Sequence, residues 1–141
     1  MTSSIRLSLK SGQQIYINGA VLKADRKVTL ELLNKAAFLL PQHIVSADQA
    51  QTPLRQLYFL IQTALIDPAM AATMEPMIAE RLDGLAGACA HQAIADGLAR
   101  VQICVVHKNP FEALKVLRGL FPLEALALVA RSETAAPADG A

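Results

Sequence analysis

Residues 52–68 read TPLRQLYFLIQTALIDP, and the hydrophobic rhythm of the chain changes at this stretch. Thr52 offers a side-chain oxygen to the free N–H groups of a helix start, and Pro53 brings the fixed φ that suits the first helical position. Leu54, Leu57, Tyr58, Ile61 and Leu65 then recur at the spacing of one helix face, until Asp67-Pro68 closes the segment and opens the next. Upstream the period is two. Ile5, Leu7 and Leu9 alternate with Arg6 and Ser8, Ile15 and Ile17 flank Tyr16, and Val28, Leu30 and Leu32 are interleaved with Thr29 and Glu31. Ser11-Gly12, Asn18-Gly19 and Asp25-Arg26-Lys27 supply turns between these strands, and Asn18-Gly19 is a strong hairpin signal. A last strand over residues 36–40 stops at Pro41.

Downstream of the same stretch everything reads as helix. Pro76 predicts a turn or kink, with a cleaner helix over residues 77–88, and a further helix is expected over residues 92–107. Asn109-Pro110-Phe111-Glu112 combines an N-cap, proline at the first position and an acidic third residue, the pattern of a capping box. The helix it opens carries Ala113, Leu114, Leu117 and Leu120 and is expected to end at Pro122. Residues 132–141 are small, polar and proline-containing, and read as a disordered tail. The expected fold class is α+β: a small N-terminal antiparallel β meander packed on a C-terminal bundle of four to five helices. Residues 1–131 form one domain in this reading, with a β part over 1–45 and a helical part over 46–131.

A length of 141 residues suits one domain, and 53% hydrophobic residues with a mean hydropathy of +0.34 exclude disorder for most of the chain. No membrane-spanning stretch of about 20 apolar residues occurs. The longest uncharged runs, residues 11–22, 36–47 and 84–95, each contain glutamine and are bounded by charges. MTSSIRLSLK lacks the pattern of a secretory signal, so a cytoplasmic location is expected. Cys89 and Cys104 are too sparse and too widely spaced for a zinc site, and read as small buried residues on helix faces.

The catalytic motifs of phosphate-binding loops, zinc proteases and serine hydrolases are missing, and His43, His91 and His107 are isolated from one another. No enzyme activity, cofactor or metal is assigned. Charge is more informative. Up to Val45, Arg6, Lys10, Lys23, Arg26, Lys27 and Lys35 face only Asp25 and Glu31, a balance of +4, while the remainder balances at −3. Basic side chains in or beside turns reach a phosphate backbone, and Tyr16 offers a ring for an unpaired base, so these seven residues form a candidate RNA surface. Lys and Arg also serve simply to keep the outer face of a small sheet soluble, and that alternative stays open at this level. On the first helix, Arg55, Gln56 and Phe59 lie off the apolar stripe, and are candidates either for a second contact within the chain or for a partner surface.

Asn18-Gly19-Ala20-Val21-Leu22, Phe38-Leu39-Leu40, TPLRQLYF at 52–59, Asp67-Pro68, Pro110-Phe111-Glu112-Ala113-Leu114-Lys115 and Leu120-Phe121-Pro122, in this order and spacing, resemble the FlbT family of flagellum biosynthesis regulators from alphaproteobacteria. The resemblance runs from about Ile5 to Glu124. It implies a post-transcriptional role: association with the 5′ untranslated region of flagellin mRNA, repression of its translation or a shortened lifetime, and a small companion protein, FlaF. It also leaves a second reading, an adaptor that acts through FlaF or flagellin-related partners without touching RNA.

A chain this apolar with no membrane span has more nonpolar surface than one small core is expected to hide, and a homodimer with an isologous interface is the commonest cover. Static light scattering should therefore report a dimer in the micromolar range; a monomer throughout would contradict self-association.

Overall fold

The computed structural model describes residues 5–34, 36 and 38–139, with side chains as far as Leu128. Five strands come first: β1 (Ile5–Leu9), β2 (Gln14–Ile17), β3 (Ala20–Lys23), β4 (Val28–Leu32) and β5 (Phe38–Leu39). Four α-helices follow among the described residues: α1 (Pro53–Ile66), α2 (Ala71–Ala88), α3 (Gln92–Val106) and α4 (Pro110–Asp139). The α+β class and the antiparallel strands are as expected, but the strands do not form a simple meander. β1 pairs with β4, from Ile5 opposite Leu32 to Leu9 opposite Val28, and a separate three-stranded sheet has the order β3-β2-β5. The hairpin of β2 and β3 turns on Asn18 (φ 47°) and Gly19 (φ 99°), consecutive positive-φ residues as the tight primed turn requires.

Two hydrophobic cores result. Leu7, Leu9, Ile15 and Ala24 form a small one within the strands, and a larger one gathers the inner faces of all four helices. β2 joins them, because successive strand residues point to opposite faces. Ile15 enters the strand core and Tyr16 the helical core, where Leu39 of β5 lies beside it.

Thr52 caps α1 as expected, its hydroxyl accepting from Arg55 N–H at 3.3 Å, while Leu54, Leu57, Tyr58 and Ile61 are buried. A single 3-10 turn at Pro68–Met70, with the Asp67 carboxylate accepting from Ala69 N–H, leads into α2. The expected stop at Pro122 is corrected, and at Pro76 the helix is not interrupted by a turn. α2 runs through Pro76, which lies near its start on an exposed face, and Ala72, whose carbonyl loses its helical donor there, is itself an exposed residue. α4 runs through Pro122, although interior proline costs about 3 kcal/mol. Packing beyond it offsets that cost. Leu123 and Ala127 lie against the core, and the buried Glu124 carboxylate accepts from Leu54 N–H at 2.8 Å, satisfying an otherwise unpaired donor in the first turn of α1. The α4 backbone is helical to Asp139, across most of the stretch expected to be tail.

The turn between α3 and α4 is a Schellman motif. Lys108 takes the left-handed position (φ 56°), donating N–H to Val105 O, and Asn109 N–H donates to Cys104 O at 2.8 Å. The Asn109 side chain then caps α4 by accepting from Glu112 N–H at 3.3 Å. Only half of the expected capping box forms, because Asn109 N–H is already engaged. The antiparallel pair packs closely at Gly97, where an added Cβ would sit 2.5 Å from a buried Leu120 methyl. No single described helix is long and apolar enough to cross a membrane; α1 together with the segment 68–88 passes that test only as a pair bent by 116°.

Gly97→Val should overpack the α3–α4 contact and destabilise the protein by about 1–3 kcal/mol in chemical denaturation, with partial recovery when Leu120→Ala is added. An unchanged midpoint for the single variant would contradict the close approach.

Candidate nucleic-acid interface

The turns that follow β1 and β3 are tied to each other. Gly12 N–H donates to Ala24 O at 2.7 Å, Ala24 N–H to Gln13 O at 3.0 Å, and the Ser11 hydroxyl to Asp25 O at 3.1 Å. Gly12 has the positive φ (85°) that this junction needs. Leu9 stands opposite Val28, so Lys10 and Lys27 continue the ladder as its next neighbours at the same end, while Lys23 closes β3 opposite Gln14. The junction therefore brings Lys10, Lys23, Arg26 and Lys27 together, all exposed, with Asp25 as the acid between them. Arg26 Nε lies 3.5 Å from the Asp25 carboxylate, but both side chains are more than four-fifths exposed, a geometry that holds a charge only weakly. The cations stay available to an anion.

The other sequence candidates separate. Arg6 stands near the other end of the β1–β4 ladder, its Nε 4.0 Å from Glu31 across the pair. Lys35 lies outside the described residues. Tyr16 is a correction: its ring is only 4% exposed, because β2 is buried on both faces, and it presents no surface on which a base can stack. The unbroken run Ile15-Tyr16-Ile17 is the signature of such a strand, and it was the available signal.

Of the three off-stripe residues on α1, two are engaged within the chain. The Arg55 guanidinium lies 4.3 Å from the centroid of Phe121 on α4, and the Gln56 side-chain oxygen accepts from Arg81 Nη1 on α2 at 2.7 Å. These contacts are with helices and not with the strands. Phe59 is half-buried.

A second group of residues was not legible beforehand. The Tyr58 hydroxyl donates to His43 O at 2.6 Å and accepts from Arg118 Nη1 at 3.0 Å. Burial raises the Tyr58 phenol above its ordinary range, against the opposing pull of Arg118, so it is neutral at physiological pH. The His43 ring, whose buried Nδ1 has no hydrogen-bond partner among the described residues, is pushed below its ordinary pKa by burial first and by the Arg118 charge second. Nearby, the amide of buried Gln62 clamps both main-chain groups of Val45, at 2.8 and 2.7 Å. Among the described residues no group of three or more His, Cys, Asp or Glu side chains is placed to hold a metal ion.

The family described as "Flagellar protein FlbT" matches residues 5–128, thus the strands and nearly all of the described helical part. The chain belongs to the FlbT family. A FlbT relative from Chelativorans sp. is 45% identical over 88% of this chain and 86% of its own length. Those from Mesorhizobium japonicum and Agrobacterium fabrum are 46% and 47% identical over 91% and 88% of this chain, and 87% and 83% of theirs. Each is named "Probable flagellum biosynthesis repressor protein FlbT". No solved structure matches the chain.

Because the folded pKa of His43 lies below its unfolded value near 6.5, the unfolded chain binds more protons between the two, and stability rises with pH in that window. Stability should therefore be complete above about pH 6.5 and fall on acidification through the lower, folded pKa. Denaturation at pH 7.5 and 5.5 should show part of this loss abolished in His43→Phe; an identical loss in both proteins would contradict a depressed His43.

Proposed function

We propose that the protein is a post-transcriptional repressor of flagellin synthesis that binds the 5′ untranslated region of flagellin mRNA and lowers its translation or stability. The observation that carries this reading is the junction of the β1 and β3 turns, where Lys10, Lys23, Arg26 and Lys27 project from a fixed scaffold with Asp25 as their nearest acid. Long cationic side chains at exposed turns contact phosphates without reading bases, which gives affinity and register. The family membership supplies the flagellar setting, and the names of the relatives supply the sign of the regulation.

An adaptor that binds FlaF or another protein partner is the second reading, and one feature favours it: Ile103 and Val106 on α3 and Leu126 on α4 are more than half exposed. A stable protein complex that retains no RNA would select it.

For the RNA reading, a gel-shift titration of the full chain with leader RNA and a scrambled control should show leader-selective binding whose log K falls with log[salt], at a slope of roughly −3 for about four neutralised phosphates. Arg26→Ala with Lys27→Ala should weaken binding and flatten the slope by about one to one and a half units, without lowering the melting temperature. Arg100→Ala with Lys108→Ala, on the opposite part of the chain, should change little. Silence of the first pair and damage from the second would move the RNA surface to the helices.

A further inference from the structure

A cleft of about 450 Å³ opens between α4 and the end of the β1–β4 ladder remote from the basic turns. Its apolar wall is Ile5 and Leu32, which face each other in the ladder, and its aromatic side is Phe38 and Phe111, half-buried and tilted at 45° with centroids 6.4 Å apart. α4 contributes Phe111, Lys115 and Arg118, spaced i, i+4 and i+7, so one helix face presents a ring and two cations to the same cleft.

The charge in this cleft is not compensated. Among the described residues no carboxylate lies within ion-pair distance of Lys115 or Arg118, and no acidic side chain lines the cleft. Arg118 is half-buried, and the hydroxyl that receives its Nη1 belongs to a neutral phenol, which orients the guanidinium without neutralising it. A partly desolvated cation beside an apolar surface is costly until an anion joins it, and a planar guanidinium suits the oxygens of a phosphate. The flat apolar wall beside it suits a planar ring.

We propose that this cleft takes one unpaired nucleotide of a single-stranded RNA, its base against Phe38 and Phe111 and its phosphate on Lys115 and Arg118. The inference rests on the RNA reading and deepens it: the turn cations hold the strand by its backbone, and the cleft requires an unstacked base. Duplex RNA, whose bases are stacked and paired, does not enter.

The test uses the full chain, a short oligoribonucleotide, the same oligonucleotide made abasic, its duplex, inorganic phosphate, and an acidic Asp/Glu peptide. The oligonucleotide should shift the Phe111 and His43 ring resonances, the duplex should shift neither, and the abasic form should leave Phe111 unmoved. Phosphate alone should perturb the cleft only at far higher concentration. Phe111→Leu should weaken oligonucleotide binding by roughly five- to a hundred-fold, and the exposed Lys115→Gln should flatten the salt slope by roughly 0.7. Because Lys115 is exposed, Lys115→Gln keeps the test decisive should Phe111→Leu disturb folding. Should leader RNA bind and respond to Arg26 and Lys27 while both cleft variants are silent, the cleft proposal is overturned and the RNA reading stands. If the wild-type chain retains no RNA at all, the RNA reading fails and the cleft assignment with it. Ring shifts caused by the acidic peptide and not by the oligonucleotide would make the cleft a protein-docking site instead.

Discussion

A phenolic hydroxyl, buried together with its ring, joins three segments far apart in sequence. Tyr58 is 0% exposed, donates to the carbonyl of His43 in the connection after the strands, and accepts from Arg118 on α4. Its ring meets Phe121 at 5.3 Å, and Arg55, one turn earlier on α1, lies over the other partner of that contact. The sheet-to-helix connection, α1 and α4 therefore share one fixed point. Arg118 is aimed by it, and so is the wall of the cleft that Arg118 lines. A phenylalanine in this position would preserve the packing and leave the His43 carbonyl without its partner, a loss that matters most where backbone groups are withdrawn from water.

The two cores divide the labour. The strand core is made of residues close in sequence, while Tyr16 and Leu39 reach out of it into the helical core. A small sheet with only a handful of buried side chains is marginal alone, and anchoring it through β2 and β5 lets the opposite end, at the turns, remain highly charged. Charge and hydrophobic anchoring are thus kept at different ends of the same small structure. This separation is what allows exposed lysines to cluster without destabilising the packing that supports them.

Local chemistry was well legible in the sequence. Thr52-Pro53, Asp67-Pro68, Asn18-Gly19 and Asn109 each act through neighbours within a few residues, and each appears where its side chain demands. Long-range effects were not. Pro76 and Pro122 are breakers by local rules; an exposed face near the helix start tolerates the first, and packing supplied from elsewhere carries α4 through the second. Strand pairing was similarly hidden: alternation marks β1 and β4 as strands without stating that they are partners. For the candidate site, the turn cations were visible because exposure at a turn is a local property. Tyr16 was misread because its burial depends on a second layer, and the Tyr58–Arg118 contact spans 60 positions that no motif connects.

Glu124 carries a consequence for how the protein is made. The donor it satisfies, Leu54 N–H, precedes it by 70 residues, so during synthesis the first turn of α1 waits for most of the chain before its buried partner arrives. The strand core contains no residue beyond 40, yet Tyr16 and Leu39 of the same strands belong to the core that the helices complete. A nascent chain therefore presents the basic turns before the helices that anchor β2 and β5 are complete. A product ending before Glu124 would keep the Thr52 cap on α1 but leave the Leu54 N–H without its buried acceptor.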